Sequence, residues 1–518
     1  MFISLGHCLH LAMIFKEFKV FFVIFFFNIY LVNYITALLF NERQSKVWGP
    51  GLNPVKIISP ARYFFVQLVD DNAKKIKNQL KDPFKVRING HSIKRHQCRV
   101  WTNILDKKDG SFIVRYKLYE ICYDFEIEIL TSRNTHVGGS PYKFQDPVYP
   151  DECFCPISSV PQWLKDNECN SEYAQVLKDL QSFKNVNLDE IHKVVVKKFE
   201  NSRSASICNY VVLNNQIYRK CYGEHVGFKM FMDAILLSLS RKVSLPDIEL
   251  FVNLGDWPLS NKNTPIPLFS WCGSNSTQDI VMPTYDLTES VLENMGRVSL
   301  DMLSVQGNID LKWESKIPKA FWRGRDSSKE RLKLIKIARA HPQLFNASLT
   351  NFFFFRDLER QYGPKDKLVS FFKFFDYKYQ INMDGTVAAY RFPYLLAGDS
   401  LVFKQDSEYY EHFYSDLKPW KHYIPFNSDL SNLVERIKWA IDHDKEAKRI
   451  AVGGQTFARN NLMPQDIFCY HVYLLNEWSK RIGSDIKLRD GMEPVIQPSH
   501  NIDCNDCEGV FDVVKDEL

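Results

Sequence analysis

AFWRGRDSSKERLKLIKIARA, residues 320–340, sets a short apolar run, a turn and a charged amphipathic segment in direct succession. The first five residues read as a strand. SSKERLKLIKIARA reads as a helix that Ser327 or Ser328 would cap. The same order recurs on both sides. Upstream, VGFKMFMDAILLSLSRK is helical in pattern and DIELFVNLG is a buried strand; downstream, KYQINM is a strand, TVAAYRFPYLLAG a helix and SLVFK a further strand. SDLSNLVERIKWAIDHDKEAKRIA then reads as one capped amphipathic helix. Strands alternating with helices from about residue 151 to 495 argue for an α/β region of two Rossmann-like lobes with a cleft between them, and ligands of such sheets sit at the C-terminal strand ends.

Residues 41–150 have a different pattern. Phe125, Ile127 and Ile129 alternate with Glu126 and Glu128, and Phe112, Val114, Tyr116 and Leu118 share one face of FIVRYKLY. That period of two describes half-buried strands, and turns such as Lys108-Asp109-Gly110 and Gly138-Gly139-Ser140-Pro141 separate them, as in an antiparallel β-sandwich. VWGPGL (47–52), DGSFIVRY (109–116) and HVGGSPY (136–142) resemble the start, middle and last strand of a filamin-type immunoglobulin-like repeat.

The chain of 518 residues is 45% hydrophobic and 25% charged, which fits several packed domains. Its formal charge of +5 is scattered, so no nucleic-acid-binding patch is expected. The apolar run VFFVIFFFNIYLV (20–32), preceded by Lys16 and Lys19, reads as a signal peptide over residues 1–40 cleaved near Ala37, with an uncleaved anchor as the competing reading. The tail, 496–518, ends in Lys515-Asp516-Glu517-Leu518, a KDEL address read by its receptor in the endoplasmic reticulum lumen. No membrane span is expected after cleavage. In an oxidising lumen the 12 cysteines default to disulfides, and Cys208 and Cys221, flanking a hairpin pattern around Asn214-Asn215, suit a staple. Cys504 and Cys507 have no companion pair for zinc. Asn275 and Asn346 lie in glycosylation sequons.

Strand IELFVNLG delivers Asp256 just past its C-terminal end, where an inverting sugar transferase needs a carboxylate to take the acceptor hydroxyl's proton. The leaving diphosphate needs a metal or cationic groups. Arg323, Arg325 and Arg331 offer guanidinium forks, and the Gly385-Thr386 turn leads to Arg391 through small residues whose amides approach phosphate. The only Asp-x-Asp pair, Asp442-His443-Asp444, falls in or at the end of a charged helix, where solvated surface explains it; no catalytic metal is expected. Gly-x-Ser-x-Gly, Walker and HExxH motifs are absent.

Taken with VNLGDWP, PIPLFSWCGS, DIVMPTYD and LKPWKHYIPF, these stretches resemble the lumenal protein O-glucosyltransferases related to fungal capsule-associated proteins, and within them the branch with a filamin-type domain and a KDEL terminus. The resemblance implies a GT-B fold, inverting metal-independent transfer from a UDP-sugar, and serines of EGF-like repeats, as in Notch-type receptors, as acceptors. It places the catalytic base on Asp256 and diphosphate contacts on Arg331 and Arg391. The backbone loop around the nucleotide falls on Thr386, Val387, Ala388, Ala389, Tyr390 and Arg391, and acceptor contacts fall near Thr284, Tyr285 and Asp286. Arg325 stands where the branch without a filamin domain has a phosphate-binding Ser, so UDP-glucose and UDP-xylose both stay open as donors, glucose favoured. The alternative is a lumenal binding protein that uses a transferase fold without catalysis.

Overall fold

A computed structural model describes residues 40–76, 80–203, 205–292, 300–499 and 504. The apolar run at 20–32 and the terminal KDEL lie outside these residues. Seven strands build the first domain: β1 (Lys46–Trp48), β2 (Arg62–Gln67), β3 (Lys85–His91), β4 (Val100–Asp106), β5 (Ser111–Leu118), β6 (Tyr123–Leu130) and β7 (Tyr142–Phe144). They form a four-stranded sheet, β1-β2-β5-β4, facing a three-stranded sheet, β3-β6-β7. Phe64, Val66, Val114, Tyr116, Phe125, Ile127 and Ile129 fill the space between. Gly49 sits at φ +132°, and a Cβ on it would stand 2.8 Å from the Phe64 backbone, so the WGPG turn lies flat against β2 only because that residue is glycine.

The alternation in FIVRYKLY implied one solvated face, and here the structure differs. Ile113 on the opposite face of β5 is fully buried, and with Tyr63 it belongs to the core of the following domain. The sandwich is docked through its four-stranded sheet, so that sheet is covered on both sides.

Three helices, α1 (Val160–Asp166), α2 (Ala174–Leu180) and α3 (Leu188–Phe199), lead into the first lobe. Its sheet contains β8 (Ile207–Leu213), β9 (Gln216–Tyr222), β10 (Ile248–Asn253), β11 (Leu268–Ser270) and β13 (Ile280–Val281), with β12 (Gly273–Ser274) set apart. β10, β11 and β13 run parallel; β8 is antiparallel to β10, and β8 and β9 form the hairpin read from sequence. Asn214 and Asn215 turn it at positive φ, and the Cys208–Cys221 disulfide joins opposed residues. α4 (Lys229–Ser240), α5 (Tyr285–Leu292) and α6 (Met302–Gly307) pack around this lobe.

The second lobe is all parallel. β14 (Ile317–Arg325), β15 (Phe345–Asn351), β16 (Tyr377–Asn382), β17 (Leu401–Gln405) and β19 (Ile424–Phe426) lie in the order β15-β14-β16-β17-β19, which reverses direction between β14 and β16. Such a switch point opens a crevice at the strand ends. α7 (Lys329–Ala340) follows β14 with Ser328 as its N-cap, the side chain accepting from Arg331 N. β18 (Tyr409–Tyr410) pairs with β12, a two-stranded link from one lobe to the other. β20 (Glu493–Pro494) returns to the edge of the first-lobe sheet.

Two helix readings are corrected. TVAAYRFPYLLAG is helical only over α8 (Phe392–Ala397). Pro393 lacks an N–H and is tolerated only in a first turn, so the helix starts beside it and residues 386–391 remain an open loop. The long charged helix divides at His443 into α9 (Leu433–Asp442) and α10 (Asp444–Asn461). Asp444 is not merely solvated surface: it accepts hydrogen bonds from Trp313 Nε1 and Lys378 Nζ. α11 (Pro464–Ser479) completes the fold. The start of the tail is ordered too. Gln497 bonds to Arg241 and to the Leu237 carbonyl, and Cys504 is disulfide-bonded to Cys153; Cys98–Cys122 and Cys169–Cys469 are further bridges.

Candidate active site in the interlobe cleft

A cavity of about 440 Å³ lies between the lobes at the C-terminal ends of β10, β14 and β16. Its lining includes Asp256 and Tyr285 from the first lobe, Arg325 and Arg331 from the second, and the whole loop from Gly385 to Arg391. Sites read from separate sequence stretches thus meet in one cleft.

The turn carrying Asp256 is rigidly held. Asn253, fully buried at the end of β10, accepts from Gly255 N at 3.0 Å and donates to the Trp257 carbonyl at 2.6 Å. From the other side Cys272 Sγ donates to the Asp256 carbonyl at 3.3 Å. The carboxylate keeps one buried oxygen, Oδ1, without a hydrogen-bond partner. Burial raises its pKa, which the Tyr285 hydroxyl and the charge of Arg325 oppose. Tyr285 is itself clamped between aromatic rings, stacked on Phe231 and edge-on to Trp271 and Tyr390.

On the facing wall, Arg331 donates from Nε to the Asp384 carbonyl (2.8 Å), from Nη1 to the Arg325 carbonyl and Ser327 Oγ, and from Nη2 to the Met383 carbonyl. Gly385 leaves room for it: a Cβ there would stand 3.2 Å from Arg331 Nη2, a tight contact that the guanidinium would have to yield to by a few tenths of an ångström. Arg391, the N-cap residue of α8, donates to the Arg323 carbonyl at 2.5 Å. Burial lowers Arg331 to about 9, with the charge of Arg391 next and that of Arg325 also contributing; burial and Arg325 lower Arg391 to about 10. Two buried guanidiniums held near a third cation give this wall of the cleft positive charge, which is chemistry able to take an anion.

The other expected contacts are distributed unevenly. Thr284 is fully buried and accepts from Leu287 N, while Asp286, raised to about 6 chiefly by burial, gives its carbonyl to the Tyr394 hydroxyl; neither lines the cleft. Arg323 lines it but is tied to Asn346 and Asp366. Asn275 is exposed at the rim of a neighbouring cavity. Asn346, within β15, has its side chain engaged by Arg323 and by the Tyr377 hydroxyl. Among the described residues no group of three or more His, Cys, Asp or Glu is placed to hold a metal ion.

The sequence reading missed Leu300, Thr350, Leu368, Val369, Phe371 and Phe374 in the lining. Leu300, Leu368 and Val369 come from loops, Thr350 from the end of β15, and Phe371 and Phe374 from a 3-10 helix over Phe371–Asp376; only the FFFF and SFFKFF clusters gave a signal that the chain there is not simply solvated. Asn253 was legible only as part of a strand.

The family model for glycosyl transferase family 90 matches residues 164–510, and the filamin/ABP280 repeat matches residues 40–143. Protein O-glucosyltransferase 2 of Danio rerio is 53% identical over 479 residues, covering 92% of this chain and 94% of its own. Protein O-glucosyltransferase 3 of Homo sapiens is 47% identical, covering 89% and 92%. Protein O-glucosyltransferase 1 of Homo sapiens is 33% identical over 310 residues, covering 56% and 76%.

Proposed function

The chain belongs to glycosyl transferase family 90, and on that premise we propose that it transfers glucose from UDP-glucose to serine hydroxyls of EGF-like repeats, as in Notch-type receptors. UDP-xylose is the second donor to test. The site of action is the endoplasmic reticulum lumen, in keeping with the disulfides and the terminal KDEL.

The observation that carries this reading is the pairing, across one cleft, of a carboxylate with an unpartnered buried oxygen and an arginine cluster. Asp256 takes the serine proton as the serine oxygen attacks the anomeric carbon. The bond from that carbon to the phosphate oxygen breaks on the opposite face, giving inversion, and the electron pair leaves with UDP. Arg325, Arg331 and Arg391 meet the charge that develops on the diphosphate, the task a divalent metal performs in other transferases. A carboxylate whose pKa is raised by burial is the stronger base once ionised.

Intact-mass analysis of a folded EGF-like repeat, incubated in EDTA with the enzyme and UDP-glucose or UDP-xylose, tests the reading. A gain of one sugar, absent with Asp256→Asn, is expected. UDP binding without transfer from either donor would favour a non-catalytic lumenal binding protein.

A further inference from the structure

The covered face of the sandwich reaches the cleft in a few steps. Arg115 of β5 points into the junction with the first lobe, where its Nη1 contacts Asp301 Oδ2 at 3.4 Å and Ser304 Oγ at 3.2 Å; Nη2 donates to Asn103 Oδ1 on β4. Arg115, Asp301 and Ser304 are all buried. Asp301 is also the N-cap of α6, its Oδ1 accepting from Leu303 N and Ser304 N. The residue immediately before it, Leu300, is part of the cleft wall with Asp256 and Tyr285. At the other end of α6, Gly307 lies so close to β4 that a Cβ would be 2.6 Å from Leu105 Cβ. α6 packs on its remaining side against α8, the helix that Arg391 caps. A six-residue helix is thus held at both ends by the sandwich and touches both halves of the active site.

We propose that Arg115 is a positioning residue for sugar transfer: through Asp301 it fixes α6 and the Leu300 wall, which makes the sandwich a working part of the catalytic cleft and not a detachable acceptor grip. This rests on the transferase reading above. A small displacement of a site wall far from the chemistry costs up to about 100-fold in rate, so a measurable loss follows from releasing α6.

Removing Arg115 alone would strand a buried carboxylate, so the test uses Arg115→Met together with Asp301→Asn, a neutral pair in which Asn still caps the helix. Gly307→Ala, which pushes α6 from Leu105 without touching the ion pair, is the second variant. Each full-length enzyme is titrated with UDP, and the kcat for transfer to an EGF-like repeat and for UDP-glucose hydrolysis is expressed per titrated molecule. Both rates are expected to fall about tenfold in both variants. Normalised rates within twofold of wild type would reduce the ion pair to scaffolding and overturn the proposal. Loss of transfer with hydrolysis intact would also overturn it, by assigning the sandwich to acceptor contact. Wild-type enzyme that binds UDP but neither hydrolyses nor transfers would instead remove the transferase reading itself.

Discussion

The Cys272 thiol lies 3.3 Å from the backbone carbonyl of Asp256, so the free cysteine of the described residues braces the turn that presents the proposed base. Burial pushes its pKa far up, and the thiolate is the reactive form. Iodoacetamide should therefore leave Cys272 unmodified in the folded enzyme and label it fully after denaturation, as read by peptide mass spectrometry. Labelling of the native enzyme at neutral pH would show that the turn opens.

Asp256→Asn should lower transfer by roughly 10²- to 10⁴-fold while UDP affinity stays near wild type. Burial raises the folded-state pKa of Asp256 above that of the unfolded chain. The stability from this group is therefore present at low pH and lost as pH rises through the folded value. The neutral variant should have a higher Tm than wild type at pH 7, and the difference should shrink on acidification. The acid limb of the wild-type kcat/KM profile, which reports the free enzyme, should likewise be raised relative to an ordinary aspartate.

Arg331→Met would leave the buried Met383 carbonyl without this donor, at a cost of about 1–3 kcal/mol for a buried unsatisfied group, and would take one donor from each of the part-buried carbonyls of Arg325 and Asp384, the latter keeping the Ser328 hydroxyl. UDP affinity should fall more than tenfold by calorimetry, with a lower Tm. Arg331→Lys should recover little, because one ammonium cannot span the separated acceptors that the planar guanidinium joins. Near-full recovery by Lys would reduce the role to charge alone.

The Cys153–Cys504 bridge closes a sequence separation of 351 residues. Replacing both cysteines by serine should cost about 2–4 kcal/mol, seen as a lower denaturant midpoint, and should free the tail to limited proteolysis. An unchanged midpoint would place its value in the tail alone.

The sequence disclosed those parts of the molecule in which local chemistry and tertiary role coincide. The turn at Asn214-Asn215 requires positive φ whatever surrounds it, so the hairpin was readable; Asp256 lies in the turn just past β10, and Arg331 in the first turn of the helix that follows β14, both at strand ends that the apolar runs mark. Arg115 gave no signal. Its position in an alternating strand predicts solvent, and only the docking of a second domain makes it buried. Residues 386–391 looked helical because Ala388 and Ala389 favour helices, yet Pro393 fixes the helix start beside it and leaves them an open loop. Leu300 joins the site through a loop and Phe371 through a short 3-10 helix, where no periodicity records a destination.

Arg325, Arg331 and Arg391 line one cleft, where burial first and a neighbouring like charge second hold Arg331 and Arg391 below the ordinary guanidinium range. On the transferase reading proposed above, the diphosphate of the donor brings opposite charge to this cluster. Donor binding would then do more than load a substrate: it would offset the cost of crowding buried cations and add RT ln(1 + [L]/Kd) to stability, about 2.7 kcal/mol at a hundredfold excess over Kd. The folded chain would then resist unfolding more strongly where sugar nucleotide is abundant than where it is scarce.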